Sequence, residues 1–271
     1  MHSRRLALII ALLVVLATVA LLSHAATAAG PAKTMDIQFI NHIQAGFAEQ
    51  DVFVERNDIA PDQVARLEVN DAPDPSNLAK ILFASAAATP HDPFKVGPTP
   101  RGPFAKGAPL GFTVQQWLAA TGSGTYKVNA GQSEMKFAFQ KLVPNGTYTL
   151  WCSRLTLSPN VTSEDIPDGS QFVFKADAQG NASFTLKLKA LPDSTRETAT
   201  VISVVYHSDG QTYGASQGDF GRNSHVQFFF MFPAPEPFYT PVPPTPAPTA
   251  TPANTGGHSK GRPCGSCHGK K

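Results

Sequence analysis

The chain has 271 residues, enough for one large domain or for one domain with appended segments. Its formal net charge is +2, from 22 Lys and Arg against 20 Asp and Glu, so wholesale binding of nucleic acid is disfavoured. Charged residues make up 15 % and hydrophobic residues 42 %, a balance that excludes a coiled coil and a charged disordered chain. All acidic residues lie between positions 29 and 240, so both ends of the chain are basic.

Residues 1–28 have the pattern of an export signal. A basic start ending at Arg5 precedes an apolar run from Leu6 to Leu22, and the small residues Ala26-Thr27-Ala28 follow. This order is typical of a cleaved signal peptide. The apolar run also just reaches the length of a membrane span, so an uncleaved anchor remains an alternative. In both cases we expect an exported protein, in the periplasm, at the cell surface or outside the cell, with membrane contact only if the signal stays uncleaved.

Residues 29–232 are predicted to form a β-rich exported domain, with an irregular N-terminal part over 31–110 and a β core over 111–232. In the N-terminal part the pattern predicts a strand at 51–56 and short helices at 36–49 and 60–67. The Pro- and Gly-rich stretch 91–109 is expected to be a loop or an extended arm.

The β core begins after a short helix. Thr113 and Gln116 have the spacing of a capping box, which predicts a helix over 113–118 with Trp117 facing inward and with Gly122 and Gly124 after its end. Apolar residues then follow a period of two, and Pro144-Asn145-Gly146 predicts a hairpin turn. The predicted strands are 134–142, 148–155, 171–176, 182–189, 199–206 and 225–232. The fold class is therefore mainly β, an antiparallel sandwich or barrel with one or two short helices.

The stretch from Tyr206 to His225 is a long Gly-rich connection between two predicted strands, and such loops often carry function. His207, His225 and two aspartates there could converge on a metal. The preferred interpretation is that both histidines end their strands and hydrogen-bond to loop backbone. Cys152 is interpreted as a buried thiol rather than a nucleophile. No motif of a known catalytic site is found, so an enzyme is not expected.

Residues 233–257 are rich in Pro, Thr and Ala, which predicts an extended polyproline-type linker. The tail 258–271 follows, and it contains Cys264-Gly265-Ser266-Cys267-His268. This segment resembles the haem-attachment motif of c-type cytochromes. The resemblance covers five residues and implies one covalent haem c, held by thioethers from Cys264 and Cys267, with His268 as the proximal iron ligand.

Other interpretations of the tail stay open. The two thiols could form a redox-active disulfide or be inert, or they could bind zinc with His268, although His258 is the only further ligand nearby. If haem is bound, His258 is the preferred distal ligand, and His207, His225, Met231 or a partner molecule are alternatives.

The sequence predicts an exported electron-transfer protein with its haem on a tethered tail. The expected partner is a redox protein with an acidic surface that suits Lys270 and Lys271, and self-association is left open. The alternative is a secreted or cell-surface β-sandwich, a binding or structural module, whose tail is a disulfide or metal clip.

Overall fold

The computed structural model describes residues 32–43, 51–67, 74–90, 101–156, 162–165 and 172–234. These residues are mostly in antiparallel β-sheets with two short helices, α1 (Pro75–Leu78) and α2 (Val114–Ala119), which confirms the predicted fold class. The strands are β1 (Lys33–Gln38), β2 (Ile40–Asn41), β3 (Phe53–Val54), β4 (Gln63–Arg66), β5 (Ile81–Ser85), β6 (Phe104–Thr113), β7 (Thr121–Asn129), β8 (Gln132–Gln140), β9 (Thr147–Thr156), β10 (Thr162–Asp165), β11 (Phe172–Lys175), β12 (Ala182–Lys189), β13 (Thr198–His207) and β14 (Ser224–Met231).

A four-stranded antiparallel sheet has the order β1-β7-β8-β12. The period of two in β8 explains its two faces, because Met135, Phe137 and Phe139 are buried and the residues between them point outward. β7 and β8 form a tight hairpin whose turn residues Ala130 and Gly131 both have positive φ. Two positive φ values in a row match the right-handed twist of the paired strands.

A six-stranded sheet has the order β10-β9-β13-β14-β2, and β11 pairs with β9 beside β10. β13 is central, as its nearly continuous run of β-branched residues predicts, and it is buried on both faces. Tyr148, Leu150 and Cys152 of β9 point to the main apolar cluster, whereas Trp151 belongs to a smaller cluster on the other face.

The two sheets pack face to face through aromatic side chains. The ring centroid of Phe139 in the four-stranded sheet lies 5.8 Å from that of Phe228 in the six-stranded sheet. Phe139 also lies 5.4 Å from Phe174 and 5.2 Å from Phe39. Ring pairs at these separations add to the stability that burial of apolar area already provides.

The remaining strands β3, β4, β6 and β5 close into a small antiparallel barrel. Segment 31–110 is therefore not irregular in its described residues but contains β1 to β5 and most of β6. The strand predicted at 51–56 is present as β3, which covers only the two residues Phe53–Val54. The stretch predicted as a loop over 91–109 contains the start of β6, which pairs with both β4 and β5.

The helices predicted at 36–49 and 60–67 are wrong in the described residues. Met35, Ile37 and Phe39 alternate with exposed residues, and β1 pairs with β7 along its whole length. Residues 63–66 form β4 and are nearly all buried in the barrel. Burial on both faces leaves no alternation of apolar and polar residues that would distinguish a strand from a helix. Strand pairing with distant segments decided both cases.

The helix predicted after Thr113 is confirmed as α2, with Thr113 as N-cap, a complete capping box with Gln116, and Trp117 inside. Gly122 and Gly124 lie after the end of this helix, as predicted, and both belong to β7. A Cβ on Gly124 would lie 2.3 Å from the main-chain oxygen of Lys136, so only glycine allows this close approach of β7 to β8. Among the described residues no helix has the length and apolar character of a membrane span.

The turn predicted at 144–146 is present, with Asn145 at a φ of 57°, but it does not close a hairpin. It joins β8 in the four-stranded sheet to β9 in the six-stranded sheet. The turn after β11 crosses between the sheets in the same way and leads to β12. The main chain of Leu142 and that of Gly180 hydrogen-bond across these two turns.

Candidate functional site

The residues predicted to hold haem, Cys264, Cys267 and His268, lie outside the described residues, as does His258. The predicted signal peptide and all of the predicted linker beyond Ala234 lie outside them as well. The described part of the chain therefore offers two places where a functional site could be built: the histidine loop and a cleft beside α2.

The loop between β13 and β14 brings His207 and His225 close together, because Tyr206 pairs with His225 and His207 pairs with Ser224. Both imidazoles are essentially buried. Thr149 Oγ1 lies 2.8 Å from His207 Nε2 and accepts a hydrogen bond from Trp151 Nε1. Ser224 Oγ donates its hydrogen to the main-chain oxygen of Gln217, so it can only accept from His207 Nδ1. In the neutral ring Nδ1 therefore carries the proton, and Nε2 accepts from the Thr149 hydroxyl.

His225 is held in the same tautomer. Its Nδ1 lies 2.5 Å from the main-chain oxygen of Asp51, and its Nε2 lies 2.9 Å from Ser208 Oγ. A carbonyl oxygen only accepts, so Nδ1 carries the proton and Nε2 accepts from the Ser208 hydroxyl. Burial lowers the pKa of His225 and lowers that of His207 to about 4, so both rings are neutral near pH 7.

Asp51 connects this loop to the small barrel. Its carboxylate accepts a hydrogen bond from Val226 N at 3.2 Å and lies 3.9 Å from Arg66 Nη1. The guanidinium of Arg66 lies 5.4 Å from the ring centroids of both Phe53 and Phe104 and donates to the main-chain oxygen of Pro90. Both charges are fully buried, so each stabilises the other only as long as this geometry holds.

The histidine loop therefore resembles a structural junction. His225 hydrogen-bonds to the main chain of Asp51, which lies outside the loop, and His207 bonds to side chains, so these contacts differ from the loop-backbone bonds predicted for both rings. Within the described ranges no group of three potential metal ligands is found. Cys152, 1 % exposed, belongs to the main apolar cluster, which agrees with its interpretation as a buried thiol.

A cleft of about 550 Å³ lies beside α2, and the sequence did not predict it. Small-molecule sites commonly have volumes of about 300–1,000 Å³ and mostly apolar walls. Its walls come from β6, α2, the turn between β8 and β9, the turn between β11 and β12, and β14. The residues that line it are Leu110, Gly111, Phe112, Gln116, Trp117, Ala119, Lys141, Leu142, Val143, Pro144, Gln179 and Gln227.

Two buried polar atoms on the lining residues of this cleft have no hydrogen-bond partner in the described structure, Trp117 Nε1 and Gln227 Oε1. Both residues are 1 % exposed. A buried polar atom without a partner costs about 1–3 kcal/mol, and these two atoms have almost no surface that water in the cleft could reach. One of the two atoms is a donor and the other is an acceptor.

Gln227 lies at an irregularity in β14. The neighbouring residues Val204 and Val205 of β13 pair with Phe228 and Val226, which leaves Gln227 as the additional residue of a bulge. Bulges re-aim side chains and are frequent beside functional sites. The side-chain nitrogen of Gln227 donates to the main-chain oxygen of Trp117 at 3.2 Å, which fixes the amide against α2.

The indole of Trp117 is fixed as firmly. Its ring stacks on Phe112 with an interplanar angle of 7° and a centroid distance of 5.5 Å. Asn41 Nδ2 donates to the main-chain oxygen of Trp117, so this oxygen accepts two side-chain hydrogen bonds. Lys141 is the single charged residue among those that line the cleft. The result is a mostly apolar cleft with one cationic side chain and the glutamines Gln116, Gln179 and Gln227 among its lining residues.

The sequence predicted Trp117 in the core but did not single out Gln227. The one available sign was that Gln227 is the only polar residue in the apolar run from Val226 to Phe232. No protein-family model, no curated protein and no solved structure matches this chain, so the residues alone carry the functional argument.

Proposed function

We propose that this chain is an exported electron-transfer protein with one covalent c-type haem on the tail that follows its β domain. The single observation that carries the proposal is the segment Cys264-Gly265-Ser266-Cys267-His268. In the motif it resembles, the two thiols add across the haem vinyl groups, and the adjacent histidine ligates the iron.

The position of the third cysteine supports the proposal. Cys152 is buried in the main apolar cluster of the domain, where a disulfide to a tail cysteine would require opening the core. Cys264 and Cys267 are thus available to react as a pair. A preceding export signal would bring them to the compartment where haem is attached covalently.

The distal ligand we favour is His258. Among the alternatives, His207 and His225 already hold both ring nitrogens in hydrogen bonds within the domain. Met231 packs against a cluster that contains Leu155 and Phe229. Recruiting any of them would break existing contacts, whereas His258 is close to the motif in the chain. The partner we propose is a redox protein with an acidic surface.

The experiment is expression in a host that matures c-type cytochromes. We expect a Soret band, a haem-stained band on a denaturing gel, and a C-terminal peptide heavier by one haem. Cys264→Ala with Cys267→Ala should abolish the stained band. His268→Ala should keep covalent haem with an altered spectrum, and His258→Ala should change only the low-spin features. Colourless protein with an unmodified peptide would reject the proposal.

A second candidate function is favoured by the cleft beside α2. In this candidate the β-sandwich is an exported binding module, and the tail is a disulfide or metal clip. The supporting observation is the cleft itself, with a volume of about 550 Å³ and mostly apolar lining residues. The variant Cys264→Ala, Cys267→Ala distinguishes the two candidate functions, because a binding module should keep its affinity for its ligand after both thiols are lost.

A further inference from the structure

We infer that the cleft beside α2 binds a small molecule with an apolar body and a single carboxylate. The inference names the ligand class of the binding module given above as the second candidate function, and it rests on that candidate rather than on haem. It is carried by the solvent-exposed side chains that line the cleft and by the backbone conformation of Lys141.

The charge of the ligand follows from the one charged side chain among the residues that line the cleft. Lys141 is exposed, and within the described ranges it forms no ion pair. No acidic residue lies among the lining residues, so a cationic ligand would find no counter-charge there. One ammonium group balances one negative charge, which favours a monoanion over a doubly charged phosphate.

The backbone of Lys141 gives a second, independent reason. Its φ of 56° lies in the left-handed region, at the point where the chain leaves β8 and crosses to the other sheet. The crossing explains this conformation but not the residue type, because glycine and asparagine adopt it at a lower cost than lysine. A lysine kept at a strained position beside a cleft points to a use for its charge there.

Amide groups add hydrogen-bond donors for the carboxylate. Gln116 is exposed, and its Oε1 accepts from Thr113 N at 2.8 Å, so its Nε2 is the end of the amide that is left to donate. Gln179 is exposed on the turn between β11 and β12, which forms another wall of the cleft. Carboxylate oxygens accept from ammonium and amide N–H groups alike, so both oxygens of the ligand can be paired.

The apolar body of the ligand follows from the rest of the lining. Leu110 and Val143 are half-buried and Pro144 is exposed, so their hydrocarbon surface can be reached from solvent. A Cβ on Gly111 would meet no atom within 4 Å, so the cleft is open beside this residue. The accessible lining is therefore apolar, with amide donors and one cation but no acid.

The test uses the full-length Cys264→Ala, Cys267→Ala protein, so that haem attachment cannot affect it. The probe is naphthalene-2-carboxylate, compared with the uncharged 2-naphthamide and the cationic 2-naphthylmethylammonium ion. Dissociation constants come from titration calorimetry at low and high salt. We expect the carboxylate to bind at least about tenfold tighter than the amide and the cation to bind weakest, with the preference for the carboxylate reduced at high salt.

Two substitutions change the charge of the cleft and leave its apolar wall intact. Lys141→Asn removes the cation at a backbone conformation that suits asparagine, and Gln179→Glu adds an acid of the same shape. Both should abolish the preference for carboxylate over amide, and Lys141→Asn should not lower the temperature of thermal unfolding. Lys136→Gln removes the same charge from an exposed position of β8 outside the cleft and should keep the preference.

Nuclear magnetic resonance locates the probe through contacts between its ring protons and the methyl groups of Leu110 and Val143. Contacts at these methyl groups support the inference. Contacts elsewhere, equal affinity for carboxylate and amide, no saturable binding of the carboxylate, or an unchanged preference in Lys141→Asn would overturn it. Equal affinity with contacts at the cleft would still leave the β domain a binding module, so the ligand class and the second candidate function fail separately.

Discussion

The Nδ1 nitrogen of His225 lies 2.5 Å from the main-chain oxygen of Asp51, although 174 positions separate the two residues. This contact joins β14 of the six-stranded sheet to the chain that enters the small barrel. It also fixes the proton on Nδ1 and leaves Nε2 to accept from Ser208. Burial lowers the pKa of this imidazole and so favours its neutral form in the folded domain.

The first prediction concerns stability against pH. His207 has a folded pKa of about 4, and burial also lowers the pKa of His225, whereas an unfolded histidine titrates near 6.5. The unfolded chain therefore binds protons first as the pH falls. Stability should be complete above about pH 6.5 and decline from there down to about pH 4, with a contribution from His207 of roughly 3 kcal/mol at most.

Urea unfolding at several pH values between 7.5 and 4 measures this decline. His207→Gln is the comparison, since glutamine keeps hydrogen-bonding groups but does not titrate. The variant should lose part of the slope of unfolding free energy against pH. Parallel slopes for the variant and the original protein would contradict the role assigned to His207.

The second prediction contrasts a buried ion pair with an exposed one. Asp51→Ala removes the buried carboxylate 3.9 Å from the Arg66 guanidinium and an acceptor from Val226 N, so we expect a loss of about 3–5 kcal/mol of unfolding free energy. Asp193→Ala breaks the exposed pair with Lys33, which should cost less than about 1 kcal/mol. Denaturant unfolding of both variants, analysed with a common m-value, measures the two losses of unfolding free energy. Similar values for the two variants would contradict the prediction.

The third prediction concerns two glycines with positive φ. A Cβ on Gly180 would lie 2.4 Å from the main-chain oxygen of Leu142, while a Cβ on Gly210 would meet no atom within 4 Å. Gly210→Ala should therefore cost only backbone strain, about 1–2 kcal/mol. Gly180→Ala should cost roughly 2–4 kcal/mol, because it adds a clash between the two turns beside the cleft. Thermal unfolding of both variants checks the order, which would be wrong if Gly210→Ala were the less stable.

The fourth prediction counts thiols. If Cys264 and Cys267 carry haem through thioethers, a chromogenic thiol reagent should find no accessible thiol in the native protein, because Cys152 is buried. Unfolding should then release one thiol per chain, and added reductant should release no more. A rise to three thiols after reduction would show a disulfide in the tail, and two reactive thiols in the native protein would show that neither modification is present.

Local pattern was sufficient for much of the second half of the domain. The capping box at Thr113 predicted α2, and the period of two predicted β8 and β12. The local pattern predicted the wrong element where pairing with a distant part of the chain determines the structure. β1 carries the same alternation as β8, yet polar residues at Asp36 and Gln38 also suit a helix face, and only its pairing with β7 selects the strand.

The candidate site was harder to predict for a physical reason. Trp117 was placed correctly inside, but its unpartnered N–H is visible only once the neighbours of the indole are known. Gln227 lies beside it because of a one-residue irregularity in the pairing of β13 with β14. The only local sign of this shift is the glutamine itself within an apolar run, and the sequence gives no sign of the contact between Asp51 and His225.

The two crossing turns have a consequence for how the domain unfolds. The chain passes from one sheet to the other between β8 and β9 and again between β11 and β12. Each sheet therefore contains strands that come before and after strands of the other sheet in the chain. Neither sheet consists only of strands that are consecutive in the chain, so neither should be stable without the other. The sandwich should therefore melt in one cooperative step, and its folding should be slow for its size, because most of its strand partners are far apart along the chain.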